Sequence, residues 1–435
     1  MCGNDPSYNR IVLTVVLALS LQFGEKPLMK DFIGLNVHTV LFKPELYRPV
    51  ASVLRDYHGV DWDLGDSPAN AASFPMSKNG VNWNDLYGKW TQMGYKIDVT
   101  AQFEQFAPEK WTDIPKQAFD YGQAFASYYG PSGKHPYVTS FEIGNEPQKY
   151  NNDQYRAIFE NMAKGLRKGD PKMLISTCAV AVGDSDQWSK NIDSLKGLDS
   201  LYDILNIHSY AMAEGWPTWR RSYPEDPKIN FLKQIQSLID WRNKNISYKP
   251  VWLTEFGWDS STKKPPAEGD AGKWVGNTDK EQARYIVRAF LTLSAMDVER
   301  AYLYWFNDDD QPSLHAASGL TRKYEPKPSF HAMSHLSKTL GDYQFDKIVI
   351  QRTEDLYVYQ FRKGKTNELI WAAWSPTAGE RTTEVSLPKP NSGRITTGEE
   401  MPLSNVAPKS IPINSTKQGT VTIKVTGSPI YLKIR

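Results

Sequence analysis

From residue 31 onward, apolar runs of four to eight residues alternate with stretches of helical periodicity, and eight such pairs follow one another before residue 340. This alternation marks repeated βα units and a parallel sheet. The expected strands are 32–37, 60–64, 96–101, 138–143, 174–180, 204–208, 251–254 and 301–306. Between them, Phe231, Ile235, Leu238 and Ile239 fall on one helical face, as do Ile286, Ala289, Phe290 and Leu293. Eight units over this length predict a closed (β/α)8 TIM barrel, an α/β fold, in preference to an open doubly wound sheet. No Gly-x-Gly-x-x-Gly follows the first strand, which argues against a dinucleotide-binding fold.

A last helix opens at Lys327-Pro328-Ser329, and beyond residue 341 the pattern changes. Short alternating runs at 356–361, 368–374, 382–387, 421–425 and 430–434 predict a C-terminal antiparallel β-sandwich, with 388–412 as loops inside it. The expected organisation is an N-terminal segment 1–29, a barrel 30–341 and a sandwich 342–435. Residues 11–23 alternate with period two as a strand of that sandwich would, although a secretory signal fits the same run; strand is the preferred reading. Cys2-Gly-Asn-Asp resembles the mature start of a lipoprotein, so an extracellular, periplasmic or cell-surface location is expected, with lipid attachment at Cys2 as one route.

With 51 basic and 49 acidic residues the formal charge is +2, so nothing global attracts nucleic acid or an anionic membrane. No run is long enough to span a bilayer as a helix. Two cysteines, Cys2 and Cys178, exclude a disulfide framework and a cysteine zinc site. Among the 14 tryptophans, Trp216, Trp219, Trp258 and Trp274 fall in expected loops, where flat rings suit sugar stacking as well as packing.

In such a barrel, reactive groups sit at the C-terminal ends of strands. Glu146 closes the fourth expected strand in Gly144-Asn145-Glu146-Pro147, and Glu255 closes the seventh in Thr254-Glu255-Phe256-Gly257-Trp258. Strands four and seven face each other across the mouth. Two carboxylates so placed are the equipment for cleaving a glycosidic bond.

These two motifs resemble those of glycoside hydrolase clan A, the retaining (β/α)8 glycosidases with an Asn-Glu pair after strand four and a nucleophilic Glu after strand seven. The resemblance implies Glu146 as acid/base, Glu255 as nucleophile, and Asn145 as a partner of the sugar 2-hydroxyl. His208-Ser209-Tyr210 repeats a His-x-Tyr arrangement of several clan members. It implies Tyr210 orienting Glu255 and His208 lining the neighbouring subsite. Trp305 stands where the clan often has the floor of the −1 subsite. His38 after strand one and Trp258 after strand seven are further substrate-binding candidates, with Trp62 behind them. One departure stands out: many clan members carry an Arg near the end of strand two, whereas this chain has Asp61-Trp62-Asp63 there and Arg55 upstream.

The expected activity is therefore retaining hydrolysis of a β-linked polysaccharide or oligosaccharide, endo-acting, of the β-glucan or galactan/agar type. No cofactor or metal is expected, and the chain is expected to act as a monomer. A non-catalytic carbohydrate-binding protein on the same scaffold, or a transglycosylase using the same residues, is the alternative. The run Asn307-Asp308-Asp309-Asp310 lacks the spacing of an EF-hand and is read as a substrate contact or a solvated loop.

Overall fold

The computed structural model describes residues 25–183, 188–366, 368–415 and 420–435. The expectation for residues 11–23, and Cys2 with it, falls outside them. Eight parallel strands form the first body: β1 Ile33–Val37, β2 Val53–Gly59, β3 Lys96–Gln102, β4 Val138–Ile143, β5 Leu174–Ala181, β6 Ile204–His208, β7 Val251–Phe256 and β8 Arg300–Leu303. β1 pairs with both β2 and β8, and β4 pairs with β5, so the sheet closes on itself. This is the expected TIM barrel.

One strand lies elsewhere than expected. Val60–Leu64 is a short helix, α1, and β2 runs just before it. Val60 and Leu64 are four apart and both buried, a helical spacing. β2 itself reads Val-Leu-Arg-Asp-Tyr-His-Gly, with polar groups on both faces, so no apolar run announces it. One face sends Arg55 and Tyr57 toward the barrel mouth. The other sends Asp56 and His58 into a buried network behind it, where Asp63 accepts from Trp83 Nε1 at 2.8 Å and Tyr121 at 2.9 Å and lies 2.7 Å from His58 Nε2. Asp63 is thus a structural anchor.

Between the strands run α2 Trp83–Gln92, α3 Ile114–Tyr129, α4 Asn152–Gly169, α5 Phe231–Asn245, α6 Asp279–Ala295 and α7 Pro328–Leu340. α4 and α6 each start with a reciprocal capping box, Asn151 with Gln154 and Thr278 with Glu281, which satisfies amides that a helix start leaves open.

The second body is two antiparallel sheets. β9 Gln344–Arg352, β10 Leu356–Arg362, β11 Leu369–Trp374, β13 Ile395–Glu400 and β15 Ile430–Ile434 make the larger, and β12 Thr383–Leu387 and β14 Val421–Val425 the core of the smaller. The region expected as loops thus contains β13. Its polar Ile-Thr-Thr-Gly-Glu-Glu sequence hides it from an apolar pattern. β9 is a half-exposed edge strand and equally faint.

The middle of the larger sheet, β10 and β11, is buried on both faces. Leu356, Val358 and Trp371 point to the sandwich core, whereas Tyr357, Tyr359, Phe361 and Trp374 join the barrel's own hydrophobic core. α6 is trapped between the two bodies, buried from Gln282 to Ser294. At that seam, Glu225 from the loop after β6 accepts from Arg288 on α6 and from Trp374 Nε1 at 2.6 Å, and Arg288 Nη1 donates to the Thr377 carbonyl at 2.8 Å. Glu225 and Arg288 side chains are fully buried, a pairing that replaces the water both have lost.

Candidate active site

Gly144 ends β4 with φ +84, a left-handed turn that glycine adopts without strain. A Cβ there would stand 2.7 Å from Phe103, so the turn is moulded against the loop after β3. The turn lifts Asn145 and Glu146 into the barrel mouth. Glu255 comes up within β7 itself, and one oxygen of each glutamate lies within 4.8 Å of the other and of a His208 ring nitrogen.

Arg55 organises this cluster. Its Nε and Nη2 donate to the two oxygens of Glu142 at 2.8 and 2.7 Å, Nη2 also to Asn145 Oδ1 at 2.8 Å, and Nη1 to Asn36 Oδ1 at 2.8 Å and Glu255 Oε1 at 3.2 Å. All five guanidinium protons have an acceptor, the full capacity of the group. Arg55 therefore fills the place that the sequence left vacant on strand two.

Glu255 is held from several sides. Tyr57 donates to Oε1, Tyr210 donates to Oε2 at 2.9 Å, and His208 Nδ1 stands 3.6 Å from Oε2. Burial alone would push this carboxyl up. The His208 and Arg55 charges and the two phenol hydrogen bonds reverse that and bring it down to about 2. Glu146 goes the other way: burial raises its carboxyl, with Glu255 adding to the rise and His208 opposing it.

Thr254 Oγ1 donates to Asn206 Oδ1, so toward His208 Nε2, 3.0 Å away, it can only accept. His208 Nε2 thus carries a proton. Its Nδ1 faces Glu146 Oε1 at 2.8 Å, a contact that needs one further proton, on the imidazole or on the carboxyl. Burial disfavours charge on His208, but Glu255 and Glu146 outweigh it and raise its pKa. One labile proton is shared by Glu146 and His208, while Glu255 has none.

The atoms of Glu146, His208 and Glu255 also have the composition of a divalent-cation site. The Arg55 charge 3.2 Å from Glu255 opposes a second cation there.

Of the residues singled out in the sequence, Glu146, Glu255, Asn145, His208 and Tyr210 meet in one hydrogen-bonded group. Trp258 does not join it: its ring is fully buried against Phe231, Phe256 and Tyr285, and its Nε1 donates to the Ser222 carbonyl at 2.7 Å. A ring without an exposed face cannot stack a sugar, which corrects that expectation. Trp305 stacks on Tyr304, with 10° between the rings, and it is Tyr304 that approaches Tyr57 and feels the Glu255 charge. Among the described residues His38 makes no hydrogen bond to either glutamate; its ring meets Trp62 edge-on at 6.4 Å.

Asp308 and Asp310 are buried in structural contacts, Asp308 with Lys327 at 3.1 Å and Asp310 with Thr262 and Ser261, so this run is neither a substrate contact nor a solvated loop except at exposed Asp309. Arg220 is paired with Glu214, while Arg221 lies under the Tyr210 ring at 4.5 Å and donates to the Gly257 carbonyl. Cys178 is free and buried, as a small core residue is.

The sequence reading missed Glu142, Tyr57, Tyr304 and His315, whose ring meets Tyr210 and Tyr304 edge-on. Arg55 and Tyr57 are two residues apart on β2, so the correct strand would have given both an inward direction.

The sequence model of the cellulase family, glycosyl hydrolase family 5, matches residues 81–295. No curated protein matches the chain in sequence. Among solved structures, a family 39 glycoside hydrolase from Bacteroides cellulosilyticus WH2 is similar with a TM-score of 0.69 and 18% identity, over 94% of this chain and 82% of that one. A glucosidase from Croceicoccus marinus gives 0.63 and 12% over 95% and 97%. A family 30 subfamily 8 xylanase from Clostridium acetobutylicum gives 0.58 and 14% over 94% and 97%. A closed eight-stranded barrel, a glutamate beyond strand four facing one on strand seven, and a family match spanning both make this chain a glycoside hydrolase of clan A.

Proposed function

We propose that the chain is a retaining, endo-acting β-glycosidase in which Glu255 is the nucleophile and Glu146 the acid/base. The observation that carries this reading is the pair of neighbouring carboxylates displaced in opposite directions, Glu255 ionised and Glu146 toward its protonated form. Their approach within 4.8 Å favours retention, for which about 5–5.5 Å is usual, over inversion, which needs about 6.5–9.5 Å for an intervening water.

In the first step a Glu255 oxygen attacks the anomeric carbon, the bond to the leaving oxygen breaks, and the Glu146 proton goes to that oxygen. In the second, Glu146, now ionised, takes a proton from water as it attacks the glycosyl-enzyme and frees Glu255. Asn145, oriented by Arg55, serves the 2-hydroxyl. Tyr57 and Tyr210 hold Glu255 in line.

The substrate proposed is a β-linked glucan or xylan. Trp216, 65% exposed and meeting Trp219 edge-on six residues beyond Tyr210, offers a ring outside the catalytic group and supports action on a chain longer than one sugar. A polymer of this kind is met outside the cytoplasm. The test is incubation with 2-deoxy-2-fluoro-β-xylobiosyl and cellobiosyl fluorides, followed by peptide mass spectrometry. A covalent adduct on Glu255 and β-configured first products by NMR are expected; α-configured products, or hydrolysis surviving in Glu255→Gln, refute the reading. Binding without turnover by the parent protein would favour a carbohydrate-binding role instead.

A further inference from the structure

Glu104 lies in the short 310 turn after β3 and touches none of the groups assigned a chemical step by its own side chain. Its Oε1 nevertheless accepts the backbone N–H of Asn145 at 2.9 Å and that of Glu146 at 3.2 Å. Two successive amides converging on one oxygen form a nest, the backbone arrangement that holds anions. Oε2 is buried and has no partner among the described residues. The neighbouring Phe103 meanwhile blocks any side chain at Gly144. The β3 loop thus grips the β4 turn twice, by a ring beneath Gly144 and by a carboxylate on the next two amides.

We propose that Glu104 is a positioning residue for the acid/base. Through their amides it fixes the backbone from which Asn145 reaches Arg55 and Glu146 reaches His208. Among the described residues the side chain of Glu146 has one polar anchor, His208 Nδ1 at 2.8 Å, and its carboxyl is partly open to the mouth, with 23% of the side chain exposed. Its aim therefore depends on the turn that carries it. Glu255 has no such dependence, since it lies inside β7 and is held by Tyr57, Tyr210 and Arg55. Loosening the turn should disturb proton delivery and leave nucleophilic attack intact. A pocket lined by Gln102, Glu104, Gln105, Gln148 and Lys149 flanks Glu146 on this side, giving the turn room to shift once the carboxylate is gone.

The inference rests on the acid/base reading of Glu146, so the experiment measures both. Glu104→Ala, Glu104→Gln and Glu146→Ala are compared with the parent on 2,4-dinitrophenyl and phenyl β-xylobiosides and β-cellobiosides. The dinitrophenolate leaves without acid help; phenolate needs it. For Glu104→Ala, kcat/KM on the phenyl glycoside is expected to fall about 30-fold or more, in keeping with the cost of a misplaced catalytic group, while the dinitrophenyl value changes less than about threefold. Glu104→Gln keeps an oxygen for the two amides and should recover most of the phenyl activity. An equal loss on both leaving groups, or no loss on either, overturns the proposal. Thermal melts separate an unstable protein from a mispositioned one, and Glu104→Gln supplies the answer if the alanine variant does not fold. If Glu146→Ala itself shows no leaving-group dependence, the acid/base assignment fails and the role of Glu104 fails with it. If Glu146→Ala shows it and Glu104→Ala does not, only the Glu104 proposal fails.

Discussion

Arg55 and Glu142 meet inside the barrel as a two-pronged pair, Nε to Oε2 at 2.8 Å and Nη2 to Oε1 at 2.7 Å. Both side chains are almost fully buried. Glu142 points the guanidinium, and the guanidinium's remaining protons reach Asn36, Asn145 and Glu255. Removing one member of a buried pair strands the other, at a cost of about 3–5 kcal/mol. Glu142→Ala is expected to lower unfolding free energy by that amount in urea titration and to reduce kcat/KM as well, since Arg55 loses its bearing. A variant as stable and active as the parent would show that Arg55 is oriented by its other partners alone.

The two tyrosines on Glu255 are expected to contribute to rate more than to stability. A hydrogen bond to a charged group contributes about 1.5–3 kcal/mol, or roughly 10- to 150-fold in rate. Tyr57→Phe and Tyr210→Phe should each lower kcat/KM within that range, while far-ultraviolet circular dichroism stays unchanged. Steady-state kinetics on an aryl glycoside checks this.

The pH profile follows from the opposite displacement of the two glutamates. In the proposed mechanism attack needs Glu255 ionised, and His208, Arg55 and the two tyrosines bring its carboxyl down to about 2, so kcat/KM should hold level down through pH 4. Proton donation needs Glu146 protonated, and its carboxyl is raised above the usual 4.5, so the alkaline limb should begin above that value.

His208 pulls both carboxyls downward. In His208→Phe, Glu255 loses a nearby positive charge and Glu146 loses a hydrogen bond, so both limbs should move toward higher pH. Limbs that move in opposite directions would contradict the shared-proton arrangement.

Trp216→Ala is expected to leave kcat/KM on short aryl glycosides unaltered and to weaken action on long oligosaccharides. One lost aromatic stacking surface, at about 0.5–1.5 kcal/mol, corresponds to roughly a 2- to 13-fold rise in KM. Product-size analysis on xylohexaose and cellohexaose provides the measurement.

The barrel was legible because its strands carry buried apolar residues, Val138, Phe141 and Ile143 in β4 and Ile204, Leu205 and Ile207 in β6, and both strands were found at their observed bounds. β2 failed that test for a reason that matters to function. Arg55 and Tyr57 face the site while Asp56 and His58 face the network behind it, so a strand that helps to arrange Glu255 has polar groups on both faces. Glu146 and Glu255 could be found because they close strands and sit in short motifs. Glu142 sits mid-strand and Glu104 in a turn, where one carboxylate in the sequence looks like any other. Trp258 shows the converse, a residue in a motif whose side chain turns to the core.

The Glu225 seam ties the C-terminal body to the loop that carries Tyr210. The loop that carries Tyr210, which holds Glu255, also carries Glu225, which accepts from Trp374 of the sandwich. Such a body is a poor candidate for exchange. An enzyme engineer who grafted a different module onto this barrel, or recombined two homologues at residue 341, would have to carry Trp374 and the Thr377 carbonyl across the junction or lose the footing of the loop beside Glu255. The boundary drawn by secondary structure is therefore not the boundary of the functional unit.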